Sequence, residues 1–345
     1  LTRQVARPDL LLLGALLHDL GKGRPGDHTD AGVVVAEGVT ARMGLDGHDA
    51  RVVVDLVRHH LLLPAVATSR DLTDPATAEG VAAQVGSVET LELLAALTEA
   101  DSIATGETAW SSWKAELLRM LVARVRAVLL GEEHPADDTA GALVTELAAR
   151  AAGGVLVEGV GSTLHVVAPD RPGLLATVVG LLVLHGQSVR SAQVWSTDDG
   201  TAVEEFELES RLGRTPDWAQ VHRDLVEAFE NRRDLGPTIA ERSRTYAPRP
   251  TAARPAEPRV IVHEGASRSA TVVEVRAPDS VGLLYRITGV ISACRSDIVH
   301  AKVLTLGHEV VDTFYLRDAD GKPLSEVGAE AVQDALRSEL VGLRD

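Results

Sequence analysis

Ala168-Pro-Asp-Arg-Pro-Gly-Leu-Leu175 returns as Ala277-Pro-Asp-Ser-Val-Gly-Leu-Leu284, an offset of 109 positions. The same offset pairs Ala192 with Ala301 and Val194 with Val303 without a gap. One residue is then lost at the turn Asp198-Asp199-Gly200, after which Val203 pairs with Val311 and Phe206 with Phe314 at an offset of 108. A hairpin turn is where a chain tolerates a deletion, so the segment is a duplicated structural unit. The first copy reads strand, helix, strand, strand, helix: Thr163 to Val167, Gly173 to Leu184, Val189 to Ser196, Ala202 to Glu209 and Trp218 to Phe229. Leu174, Leu175, Val178, Leu181 and Leu182 share one helical face, as do Leu283, Leu284, Ile287, Val290 and Ile291 in the second copy, so each helix packs on a sheet. A short apolar run precedes each copy, Val155 to Glu158 and Val260 to His263, and is expected to complete a four-stranded sheet from its N-terminal side.

Upstream the texture is different. From Asp9 to about Leu130 apolar residues recur at three and four residue spacing, with breaks at Gly21 to Gly26, Pro64 and Pro75, which predicts an all-α domain. The polar run Gly131 to Thr139 ends the last long helix, and a short helix runs on to Arg150. Gly236 to Arg259, rich in Pro, Arg and Ala without periodicity, reads as a linker. The expected domains are therefore residues 1–150, 151–235 and 260–345, with 236–259 between the last two. With 345 residues, several domains are the prior, and with 3% aromatic residues Leu, Val and Ala must fill the cores. A formal charge of −16 argues against nucleic acid, whose phosphates need clustered Lys and Arg. Apolar stretches such as Leu10 to Leu17 are too short to span a bilayer, so no membrane partner is expected. Cys294 is the single cysteine, which fits a reducing compartment and a cytoplasmic location.

The chemistry concentrates in the helical part. In Leu16-Leu-His-Asp-Leu-Gly-Lys22 an apolar helix ends in a His-Asp pair, where adjacent residues can both face one ion only because the helix stops. His28, the pair His59-His60, and Asp101 in Thr98-Glu-Ala-Asp101 follow. A lone histidine is usually a surface or capping residue. An ordered set of His18, Asp19, His28, His60 and Asp101, each beside an apolar helical stretch, instead suits nitrogen and oxygen ligation of one or two divalent ions. His48 and His59 are expected to face solvent.

The set His18-Asp19 with Gly21-Lys22, His28, His60 and Asp101 resembles the motifs of the HD phosphohydrolase superfamily. Leu17 to His28, Val57-Arg-His-His-Leu-Leu62 and Asp101 to Lys114 look more narrowly like the uridylyl-removing domain of the bifunctional PII uridylyltransferase family. The duplicated unit resembles the ferredoxin-like (βαββαβ) ACT domains found in that family's C-terminal half. The resemblance implies a multidomain chain: an all-α HD domain followed by two α+β ACT domains. It implies catalytic roles for His18, Asp19 and Lys22. His18, Asp19 and Asp101 would hold one ion, Mg²⁺ or Mn²⁺, with His28 and His60 near a second ion or the phosphate, Asp19 bridging and Lys22 neutralising phosphate charge. The bland alternative for Lys22 is a cation near a helix C-terminus. The implied activity is removal of a uridylyl or adenylyl group from a nucleotidylated PII-type nitrogen signalling protein. In the superfamily another His ligand lies upstream of the His-Asp pair, before Leu1 here, so the site is expected to lack a ligand and activity to suffer. The family's nucleotidyltransferase domain has no counterpart in this sequence.

The turns Asp170-Arg-Pro-Gly173 and Asp279-Ser-Val-Gly282 present backbone N–H groups at a helix start, a seat for a carboxylate. In the ACT family such turns, with the start of the next strand, bind an amino acid between paired modules. That implies a site near Asp170, Gly173, Gln187, Ser188, Asp279, Gly282, Ser296 and Asp297, with glutamine as the effector. The bland reading is that Asp170 and Asp279 are helix N-caps and the modules merely pair. Two other functions stay in view: a guanosine tetraphosphate hydrolase of the stringent-response type, and a non-catalytic amino-acid sensor.

Overall fold

The computed structural model of the chain describes residues 5–106, 112–132, 139–197, 199–210, 217–231, 235, 237–239, 241, 257–306 and 309–341. It forms two compact units, residues 1–137 and 138–345. No single described helix is long and apolar enough to cross a membrane.

The first unit is helical: α1 (Pro8–Leu17), α2 (His28–Met43), α3 (Gly47–His59), α4 (Leu62–Ser69), α5 (Pro75–Val85), α6 (Val88–Thr105) and α7 (Ser112–Leu130). Side-chain caps set several starts: Asp27 accepts from the backbone N–H of Thr29 and Asp30 before α2, Asp46 from His48 and Asp49 before α3, and Ser87 from Thr90 before α6. The valine-rich α3 is the centre of the core, with Val52, Val53, Val54, Leu56 and Val57 buried against α1, α2 and α6. Small residues permit this. A Cβ on Gly14 of α1 would lie 2.6 Å from Leu56 Cδ1, and one on Gly32 of α2 would lie 3.2 Å from Val57 Cγ1. Pro64, read as a break, falls in the first turn of α4, where its missing N–H costs nothing.

The second unit is built on one antiparallel sheet of eight strands: β1 (Leu156–Val160), β2 (Thr163–Pro169), β3 (Gln187–Ser196), β4 (Thr201–Ser210), β5 (Arg259–His263), β6 (Thr271–Pro278), β7 (Asp297–Leu306) and β8 (Glu309–Arg317), in the order β1-β2-β4-β3-β7-β8-β6-β5. Helices α8 (Thr139–Ala151), α9 (Leu174–Leu184), α10 (Trp218–Asn231), α11 (Leu283–Ala293) and α12 (Glu326–Val341) accompany it. The two copies join through β3 and β7, where Gln193 faces Lys302, Ala192 faces Val303 and Val194 faces Ala301. Repeat-equivalent residues thus pair with each other about a local pseudo-twofold axis. Helices α9 and α11 pack together across that axis, and Gly180 of α9 lets Tyr285 of α11 approach to 2.9 Å of where a Cβ would stand.

Each copy has the ferredoxin-like α+β architecture, with its fourth strand supplied from the N-terminal side: β1 pairs β2, and β5 pairs β6, at the sheet's outer edges. Hydrogen bonding runs unbroken from one copy to the other through β3 and β7, so the two copies share one sheet. The helical domain also ends earlier than residue 150. Leu147 of α8 is buried against Val167 and Val203, so that helix packs on the sheet. Of the expected linker, Gly236, Ala240 and residues 242–256 lie outside the described residues. Residues 237–239 are helical, and Ile239 is buried beside Leu235 in the core over α9.

Candidate metal centre and effector pockets

The helical unit brings His18, Asp19, His28, His60 and Asp101 to one place, and local chain chemistry explains how. Helix α1 closes with the His18 N–H donating to Gly14 O at 2.8 Å, and tight turns follow in which Lys22 N donates to Asp19 O and Arg24 N to Gly21 O. The stop puts His18 and Asp19 on one side of the helix end. Gly21 then passes so close to the start of α2 that a Cβ there would sit 1.8 Å from the His28 carbonyl oxygen and 2.6 Å from Gly32 N. Asp27 caps α2, so His28 is its first helical residue, held over the turn. His60 follows the last turn of α3, and Asp101 lies in the last turn but one of α6.

The side chains form two overlapping donor sets, Asp19 with His28 and His60, and His18 with Asp19 and Asp101, in each of which the ligand-type atoms lie within 4.8 Å of one another. His18 Nε2 is 3.3 Å from Asp19 Oδ2 and 3.5 Å from Asp101 Oδ1, and His60 Nε2 is 3.9 Å from Asp19 Oδ1. The two carboxylate oxygens of Asp19 therefore turn toward different histidines. The His18 and His28 rings both stand edge-on to His60, with centroids 5.4 and 5.7 Å away.

The tautomers follow from the second nitrogens. His18 Nδ1 lies 2.8 Å from the carbonyl of Ala15, and His60 Nδ1 lies 2.7 Å from that of Val57. A carbonyl only accepts, so both Nδ1 atoms donate, and each neutral ring presents a lone pair at Nε2. Burial pushes the His60 imidazole below its ordinary range, which favours that neutral form. His18 Nε2 is buried and has no hydrogen-bond partner among the described residues. A lone pair aimed at two carboxylates is repulsive unless a cation stands among them. Burial works to raise the Asp19 carboxyl, but the hydrogen bond from Lys22 and the charge of its ammonium oppose it, and the group lies below the usual carboxylate range. Lys22 Nζ donates to Asp19 Oδ2 at 2.6 Å, and that bond raises the ammonium in turn. By donor type, spacing and the unmet nitrogen, the residues fit divalent cations of the kind that accept mixed imidazole and carboxylate ligands.

His48 is exposed and within 2.7 Å of Glu89 Oε2. His59, expected to face solvent, is half buried, and desolvation lowers its imidazole. In the run Asp101 to Lys114, residues 107–111 lie outside the described residues.

Residues 1–105 match the HD domain family, and residues 162–212 match the ACT domain family. The chain is also similar along nearly its whole length to proteins named bifunctional uridylyltransferase/uridylyl-removing enzyme. It is 40% identical to that of Streptomyces coelicolor, over 98% of this chain and 46% of the relative. It is 39% identical to that of Mycobacterium tuberculosis H37Rv, over 91% and 41%, and 31% identical to that of Bradyrhizobium diazoefficiens, over 96% and 41%. These matches assign an HD domain to residues 1–105 and an ACT domain to residues 162–212. The chain's helical unit is a domain of the HD hydrolase superfamily, and its sheet unit carries the ACT modules. The chain spans less than half the length of the curated relatives it matches.

Two cavities lie between the ACT modules, related by the same pseudo-twofold axis. Asp279, Gly282, Gln187 and Ser188 line the larger, of about 90 Å³, and Asp170, Gly173, Ser296 and Asp297 line the smaller, of about 20 Å³. Each cavity thus takes its turn from one module and its strand start from the other. Gly173 and Gly282, with φ of 83° and 77°, are themselves the N-cap residues of α9 and α11, and neither helix has a side-chain cap. Asp170 and Asp279 are therefore not N-caps, and the turns themselves take up the first N–H of each helix, Leu174 N donating to Arg171 O and Leu283 N to Ser280 O.

Sequence reading missed Glu204 and Asp312. Both line the cavities and are almost wholly buried, at 0% and 1% exposure. Each stands two residues before its copy's buried Phe206 or Phe314, at an inward position of an otherwise apolar face. An acid at a core position of a period-two strand, repeated at an offset of 108, was the available signal.

Proposed function

We propose that the HD domain removes a nucleotidyl group, uridylyl or adenylyl, from a PII-type signalling protein, and that glutamine bound by the ACT modules regulates it. The observation that carries the hydrolytic reading is the buried Nε2 of His18 between Asp19 and Asp101, which has no hydrogen-bond partner among the described residues. On this reading His18, Asp19 and Asp101 hold one divalent ion, Mg²⁺ or Mn²⁺, His28 and His60 hold a second or face the phosphate, and Asp19 is shared. Such an ion would supply Lewis acidity, lowering the pKa of a bound water and stabilising charge gathered on phosphorus. The chain's own residues orient that centre. Ala15 and Val57 fix the imidazole tautomers through their carbonyls, and Gly21 admits His28 to the site. Lys22, largely exposed at the rim, keeps Asp19 ionised and adds a positive charge where a phosphodiester would arrive.

The name shared by the relatives supports the uridylyl-removing assignment, and the paired cavities with uncapped helix starts support an amino-acid effector. The test is to incubate the chain with uridylylated and adenylylated PII-type protein, and separately with guanosine tetraphosphate, in Mn²⁺ or Mg²⁺, with and without glutamine. Release of the nucleoside monophosphate, altered by glutamine, is expected. Hydrolysis of guanosine tetraphosphate alone would move the chain to the stringent-response class, and metal content without hydrolysis of any substrate would leave it a sensor.

A further inference from the structure

The two ACT cavities share a feature that the turns and strand starts do not explain. Strand β4 places Glu204 opposite Val166 of β2 and Val194 of β3, and β8 places Asp312 opposite Val275 of β6 and Val303 of β7, at equivalent positions of the repeat. Among the described residues, neither oxygen of the Glu204 carboxyl has a hydrogen-bond partner, and Oδ1 of Asp312 has none either. Burying a carboxyl oxygen without a partner is costly, and its recurrence at equivalent positions of both copies is hard to reconcile with packing alone. Both groups instead line cavities whose other wall is an uncapped helix start.

An α-amino acid carries a carboxylate and an ammonium on one carbon, and each cavity offers a matching pair: the positive end of a helix that starts without a side-chain cap, and a buried acid. We propose that Glu204 and Asp312 receive the ammonium group of an amino-acid effector, one in each cavity, while the turns Asp170–Gly173 and Asp279–Gly282 receive its carboxylate. This rests on the effector reading above and adds to it the recognition group and a linked proton. Burial, reinforced by the charge of Asp170, pushes Glu204 up to about 8. Burial likewise pushes Asp312 up to about 8, with the backbone of Leu304 opposing and the charge of Asp279 assisting. The other titratable groups lining the smaller cavity are Asp170, Asp297 and Arg171, whose guanidinium is turned to the Phe229 ring and carbonyl; the larger holds Asp279 and Tyr285. The free acids are thus protonated near neutrality, and an ammonium must displace the proton to form its ion pair. Binding therefore tightens as pH rises toward 8 and releases about one proton per cavity at pH 7.

The experiment is calorimetric titration of the full chain and of its Glu204→Gln and Asp312→Asn variants, in buffers of different ionisation enthalpy. The probes are glutamine and glutaramate, the same molecule without its α-ammonium. Thermal melting verifies that each variant folds. Each variant should lose glutamine affinity at one cavity by tenfold or more and lose that cavity's proton release, while glutaramate binds variant and wild type alike. Variants that bind glutamine with unchanged affinity and proton release, or lose glutamine and glutaramate equally, would overturn the ammonium assignment and leave an amino-acid effector in place. A wild type that binds none of the twenty amino acids would remove the effector reading, and this inference with it.

Discussion

His18 Nε2 and Asp101 Oδ1 stand 3.5 Å apart at the meeting of α1 and α6, yet the nitrogen is buried and forms no hydrogen bond among the described residues. Adding Mn²⁺ should raise the melting temperature of the chain, because an ion that binds only the folded state stabilises it by about 2.7 kcal/mol at a hundredfold excess over Kd. His18→Ala and Asp101→Asn should lose most of that shift while melting close to the wild type without metal. Mn²⁺ stabilisation that survives in both variants would remove this pair from the ligand set.

Gly21→Ala should be more damaging than its size suggests. The added methyl would overlap the His28 carbonyl, which is backbone and cannot rotate away, so α2 must shift. Overpacking of this kind costs about 1 to 3 kcal/mol. Denaturant unfolding should show that loss, together with reduced Mn²⁺ stabilisation. Gly23→Ala, where φ is 79° but nothing lies within 4 Å, should show backbone strain alone and keep the metal response.

Lys22→Met separates a role in chemistry from simple neutralisation of a helix end. Lys22 is 65% exposed, so its ion pair with Asp19 should contribute at most about 0.5 kcal/mol to stability. Hydrolysis of the nucleotidylated protein should nonetheless fall by at least tenfold with metal content unchanged. Full activity in this variant would reduce Lys22 to a helix-end cation.

Stability should depend on pH through Glu204 and Asp312. Their folded-state pKa values, about 8, lie above those of an unfolded carboxyl, so the folded chain binds more protons between about pH 4 and 8. The protonated acids' contribution is complete at the low end of that window and is lost as pH rises through 8, at about 1.4 kcal/mol per pH unit for each group at most. Glu204→Gln and Asp312→Asn should flatten the profile and raise the melting temperature at pH 8. An unaltered slope in the double variant would show that these acids do not hold their protons in the folded chain.

Periodicity and repetition, which are local, were legible without a structure. The 109-residue offset marks the duplicated unit, and the apolar spacing of Leu174 to Leu182 and of Val52 to Val57 marks faces that must be buried. The helix end at His18-Asp19 was legible for the same reason, since consecutive polar residues after an apolar run have few other meanings. Contacts between distant segments were not. That His28 reaches His60 depends on Gly21, Gly32 and Val57 meeting, and glycine carries no sign in the sequence of what approaches it.

The amino-acid sequence by itself determined the kinds of element, the duplication and the residue types able to ligate a cation, because these depend on neighbours within a helical turn or a strand. Only the tertiary structure decided that α8 packs on the sheet, that β3 and β7 fuse the two copies into eight strands, and that each cavity draws on both modules. It also decided that Glu204 and Asp312 are buried with carboxyl oxygens that meet no hydrogen-bond partner among the described residues. Burial is a property of everything that packs around a residue, and an acid on a strand looks the same in the sequence whether its face meets water or the interior.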